Sequence, residues 1–184
     1  PVGNSLSLRD LVELADVNSW TFAYNNDGTA VDSVKMSENE AREKLRPMLP
    51  ESIKYLYKKG LTDANIHEML TSCNADSTEL VPLVLSLKEI EEDITAQSNM
   101  QLAAPSTGKQ QPTQTTKINW EKVGNCAMEA IGMDILTALG NTAASSWTYA
   151  LVFKAFKVVA KKVIGPIGAA VAVVDFALCM GRKG

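Results

Sequence analysis

Two cysteines, Cys126 and Cys179, bracket the most apolar and most cationic stretch of this 184-residue chain. That stretch constrains the fold more than anything before it. From residue 118 onward the chain is dense in Gly and Ala and carries seven Lys and Arg against four Asp and Glu, a net of +3. Residues 1–98 carry nine Lys and Arg against 17 Asp and Glu, a net of −8. Charge asymmetry of this kind points to a membrane or polyanion partner, or to one segment masking the other. An overall net charge of −3, 6% aromatic residues and no basic stripe interleaved with stacking rings argue against a nucleic-acid partner.

The first two thirds read as helices. Ser7 ahead of Leu8, Leu11, Val12 and Leu14 is an N-cap before a short amphipathic helix. Ser37 with Glu40 forms a capping-box pattern, and Pro47 and Pro50 interrupt the helix it opens. A second helix then ends at Gly60, and Thr62 to Asn65 opens a third that ends near Cys73. A fourth begins around 77–82 and runs to about Gln97, with Leu83, Leu87, Ile90 and Ile94 at helical spacing. Its Glu89, Glu91, Glu92 and Asp93 read as an exposed acidic face. Between 19 and 34, β-prone runs flank Asn26-Asp27-Gly28, which predicts a small β-hairpin leaning on the helices.

Residues 98–117 hold no acidic residue and few large apolar ones. Pro, Gly, Thr and Gln at this density cannot bury enough surface to order a backbone, so the segment reads as a flexible linker. It divides an acidic helical domain, 1–97, from a cationic apolar helical domain, 118–184. Exposed polar linkers are also where proteases cut, and Lys109 and Lys117 are the basic candidates for processing.

The cationic part reads as three helices, near 119–139, 143–163 and 167–180. In the second, Lys154, Lys157 and Lys161 lie at i, i+3 and i+7, with Lys162 beside them, opposite Trp147, Phe153 and Phe156. A Lys stripe opposite an apolar face suits an interfacial helix, each ammonium gaining about 1 kcal/mol near an anionic surface. On base rates the solvated face of a soluble bundle is the commoner meaning of such a stripe, by about two to one. The third, almost uncharged run is shorter than the ~20 residues that cross a bilayer, so it reads as the centre of a compact helical domain or as a hairpin able to open onto lipid. Three cysteines give one pair and one left over in a secreted chain, and three thiols in a reducing compartment. Cys126 and Cys179 are the candidate pair, although an up-down-up arrangement separates them unless the first helix crosses the others.

The run Asn119-Trp120-Glu121-Lys122-Val123-Gly124-Asn125-Cys126, with Gly/Ala-rich amphipathic helices and the late Cys179 behind it, resembles the compact helical bacteriocins of Gram-positive and related bacteria. The resemblance covers 118–184. It implies a cationic helical effector that permeabilises membranes, with the acidic part as pro-domain or intramolecular chaperone and cleavage near Lys109 or Lys117 as the release step.

No arrangement for catalysis stands out. His67, the only histidine, has no partner at metal-ligand spacing, and Cys73 lies on a different helix face from it. No phosphate-cradling glycine loop is present. The expectation is a non-enzymatic, mainly α protein without a cofactor, secreted, with Pro1 marking a removed leader or a trimmed end. Its expected partners are an anionic membrane surface and an immunity-like or other protein. The competing expectation is a soluble interaction module whose C-terminal helical hairpin packs on the N-terminal domain or on a partner.

Overall fold

The computed structural model describes residues 5–20, 36–103 and 118–183. Its elements in chain order are α1 (Leu8–Leu14), α2 (Glu38–Leu45), α3 (Leu49–Lys58), α4 (Asp63–Ser72), α5 (Leu80–Ala103), α6 (Asn125–Ala130), α7 (Asp134–Ala138), α8 (Tyr149–Lys162) and α9 (Gly165–Lys183). The mainly α class holds. Among the described residues there is no strand. The hairpin expected near 19–34 falls almost wholly outside them. At its near edge, Val17–Ser19 forms a 3-10 turn, and Trp20 is buried with its indole N–H donating to the Ala15 carbonyl at 2.7 Å.

Local signals set the ends of the N-terminal helices. Ser7 accepts from the Asp10 N–H. Ser37 with Glu40, and Thr62 with Asn65, form complete capping boxes, each satisfying two backbone donors that the first helical turn would otherwise leave orphaned. Pro47 sits at the start of the 3-10 turn Arg46–Met48, where its missing N–H costs nothing, so α2 runs into α3 with only a change of pitch.

α5 and α9 lie at the centre. α5 touches α1, α3, α6, α8 and α9, while α9 touches α1, α2, α5, α6 and the Ser77–Glu79 turn. Buried side chains from the acidic segment, among them Leu11, Leu45, Leu56, Met69 and Leu83, and from the cationic one, among them Ile135, Phe156, Val173 and Phe176, form one contiguous core. The acidic and cationic segments therefore bury their apolar faces against each other.

Three expectations need correction. α5 does not stop at Gln97: it continues to Ala103 through the first residues of the expected linker, because Gln, Met, Leu and Ala are good helix formers whatever their polarity. The remainder of that linker, 104–117, lies outside the described residues. The single helix expected near 119–139 is a 3-10 turn (Trp120–Lys122) followed by α6 and α7, broken where Gly124 and Gly132 take positive φ. The apolar periodicity ran through those breaks, but glycine's freedom at positive φ decided them. Finally, the helix expected from 143 starts only at Tyr149, capped by Thr148, while the last helix extends over 19 residues from Gly165.

Gly124 couples backbone geometry to packing. Its φ is +69°, and a Cβ there would meet Ile90 Cγ1 of α5 at 2.9 Å. Gly124→Ala is expected to lose about 2 kcal/mol, combining left-handed strain with overpacking. A lower urea midpoint at unchanged m-value reads this directly.

Candidate functional site

The acidic run of α5 is the feature that the structure redefines. It was expected to face water, yet its carboxylates hold neighbouring chain segments in place. Glu89 is only 2% exposed. Its two oxygens accept from the backbone N–H groups of Cys126, at 2.9 Å, and Ala127, at 2.8 Å. These are first-turn donors of α6, whose own N-cap, Gly124, has no side chain to offer. Asp93 accepts from the Gly124 N–H at 2.9 Å. Gln97 completes the stripe with a two-point clamp on Asn119, accepting from its N–H at 2.7 Å and donating to its carbonyl at 3.1 Å. Residues 89, 93 and 97 are four apart and so share one helix face. That face grips the start of the cationic segment.

A second face of α5 holds the acidic segment. Glu92 accepts from the Leu8 N–H at 2.7 Å, at the start of α1. Glu91 accepts from the Tyr55 hydroxyl and from Lys59 Nζ, both at 2.7 Å. Lys88 is 5% exposed; its ammonium lies 4.9 Å from the Tyr55 ring centroid and 3.4 Å from Ser5 Oγ. Burial lowers the Lys88 pKa, against the pull of Glu92 and Glu91. α5 is thus a two-sided clamp between the segments that flank it in sequence. Charge-assisted hydrogen bonds of this kind contribute about 1.5–3 kcal/mol each.

α9 is held by the same device. Glu79, 3% exposed, accepts from the Gly165 N–H at 3.2 Å, at the N-terminus of α9, and from the Asp76 N–H at 2.8 Å. Burial pushes the Glu79 carboxyl above its ordinary range, and the two backbone N–H groups pull against that. At the far end of α9, Cys179 is joined to Cys126 with a Cα–Cα separation of 5.6 Å. α6, which begins just after the left-handed Gly124, packs directly against α9, so the two cysteines meet without an up-down-up separation. Arg182 pairs with Glu129 of α6 at 2.6 Å beside it. Cys73, half-buried, is a free thiol whose pKa burial pushes up.

Held at both ends, α9 is buried or half-buried from 165 to 180, with 44% of its apolar window buried. Among the described residues it is also the one helix long and apolar enough to cross a membrane, over Gly165–Arg182 at mean hydropathy 1.4. The shorter apolar run at 167–180 had predicted less than a crossing length.

The residues expected to engage lipid divide into two groups. Lys154, Lys157, Lys161 and Lys162 are exposed on α8. Phe153 is half-buried beneath Lys157, whose ammonium sits 4.8 Å from the ring centroid. Trp147 and Phe156 are buried at 5% and 0% exposure, so in this conformation they are core residues and do not share the exposed face of the lysines. The reason is the stripe Val152, Ala155, Phe156 and Val159, which is buried at the i, i+3, i+4, i+7 spacing of a core-facing helix. The Trp147 indole N–H donates to the Thr142 carbonyl at 3.3 Å. Tyr149, at the start of α8, donates to the Asn65 carbonyl at 3.2 Å and bonds Glu68 of α4; burial and that carboxylate push its phenol up to about 12. Lys109 and Lys117 lie outside the described residues.

Glu79, Glu89, Asp93 and Gln97 were not recognised from sequence as site residues. The available signal was register: Glu89 and Asp93 continue the four-residue stripe of buried Val81 and Leu85, which places them towards the packed side of α5. No family model matches the chain, and comparison with curated proteins and with solved structures gives no match.

Proposed function

We propose that the chain is the latent form of a secreted, bacteriocin-like bacterial protein whose C-terminal helical segment acts on anionic membranes, residues 1–97 serving as its pro-domain. One observation carries this reading: α9, apolar and of crossing length, packs against α1, α2 and α5 of the acidic segment and is gripped at its N-terminus by Glu79. A helix of that composition released into water would aggregate or enter lipid. Cleavage in 104–117, at Lys109 or Lys117, leaves the two parts held only by the shared core and the carboxylate grips. Separation of the parts is then the activating step.

A second reading rests on the same packing. Here the chain is a non-enzymatic soluble interaction module, and α8 with α9 packs permanently on the acidic segment. The two readings differ in one result. Protein cut in 104–117 and separated in urea is expected to release dye from phosphatidylglycerol-containing vesicles on dilution, while the intact oxidised chain stays at background. In the cut protein, Lys154→Glu/Lys157→Glu is expected to lower release severalfold. Background release by the cut and separated protein would sink the membrane reading in favour of the module.

A further inference from the structure

On the membrane reading the released segment acts on lipid, and the folded chain already carries a feature suited to finding a bilayer. The exposed residues of α8 are Ala150, Lys154, Lys157, Lys161 and Lys162. Residues 150, 154, 157 and 161 follow at spacings of four, three and four, which makes a single ridge along the helix. No Asp or Glu occurs from 135 to 174, and none of the four lysines is ion-paired with a described carboxylate within 4.0 Å. Half-buried Leu151 and Val158 flank the ridge. It ends at the turn between α8 and α9, where Ile164 is 76% exposed, the most exposed large apolar side chain among the described residues. A β-branched apolar residue held out in water beside two lysines, between buried Val163 and a Gly165 in left-handed conformation, has no role in the core.

We propose that the intact, folded protein docks on anionic lipid through this ridge, with its three lysines and the neighbouring Lys162 at the phosphates and Ile164 in the acyl boundary. The inference rests on the membrane reading above but concerns the uncut chain. Cation alone fits any polyanion; the exposed Ile164 at the end of the ridge is what selects a bilayer, which offers phosphate and hydrocarbon within a few ångströms of each other. Docking also brings the turn between α8 and α9 to the interface, where Glu79 holds Gly165.

The experiment is cosedimentation of the full-length oxidised protein with vesicles of equal phosphatidylglycerol and phosphatidylcholine, and with phosphatidylcholine alone. Binding is expected only to the anionic vesicles, falling as salt rises. Lys157→Gln/Lys161→Gln is expected to weaken it about 25-fold at low salt, or about fivefold per lysine. Ile164→Ser, which removes the apolar side chain without adding charge, is expected to weaken it about tenfold or more. Both variants alter exposed positions, so their thermal midpoints should match the parent, which separates lost docking from lost folding. Absence of binding to anionic vesicles overturns the proposal. So does binding that needs the lysines but ignores Ile164→Ser, which is the behaviour of a nucleic-acid or acidic-protein site. Sedimentation reads docking without any dye release, so failure here and failure of the cut protein to permeabilise vesicles are separate results.

Discussion

Glu89→Ala is expected to destabilise the protein by about 3–5 kcal/mol, the largest effect of any single substitution on this surface of α5. The change removes a buried carboxylate and leaves the N–H groups of Cys126 and Ala127 facing a void. Neither donor has an intrahelical acceptor, because both lie in the first turn of α6. Glu89→Gln separates the parts of this cost: its amide oxygen can still accept from one N–H, but its amide NH2 then opposes the other donor, so a loss of about 2 kcal/mol is expected. Urea midpoints at constant m-value give both numbers. A shift below about 1 kcal/mol for Glu89→Ala would mean that the grip does not hold α6.

Removing the bridge with Cys126→Ala/Cys179→Ala is expected to cost about 4 kcal/mol in the loop-entropy account for two cysteines 53 residues apart. For a chain of this size that lowers the thermal midpoint by about 10 °C. The bridge and the Glu89 grip meet at Cys126, so the two effects should not add: the triple variant is expected to lose less than the sum by about 1 kcal/mol or more. Full additivity in a thermal or urea series would show instead that α6 is positioned by the core alone.

What could be read in the sequence, and what could not, follows the range over which each interaction acts. The capping boxes at Ser37 and Thr62 and the cap at Ser7 were legible because each is decided within four residues. The pairing of Cys126 with Cys179 was visible as a candidate and undecided as a geometry, since it depended on how α6 packs against α9. The carboxylates of α5 were misread for a related reason. Charge along a helix says that the residues are polar, but whether a carboxylate faces water or an orphaned N–H depends on a segment some 35 residues away, as Glu89 shows. Trp147 and Phe156 illustrate the same ambiguity in apolar residues, because an amphipathic stripe looks alike whether it meets a core or a lipid surface. Ile164 was passed over because it lies outside any helical period.

Because the acidic segment and α9 share one core, they are expected to open together and not one after the other. Segment-resolved hydrogen exchange of the intact oxidised protein tests this most directly, because local opening and global unfolding exchange at different free energies. The amides of α9 and of the 80–97 part of α5 are expected to exchange at one common opening free energy, equal to the global stability, and to fall together in Glu89→Ala. Exchange of α9 at a distinctly lower free energy, with α5 still protected, would contradict the account.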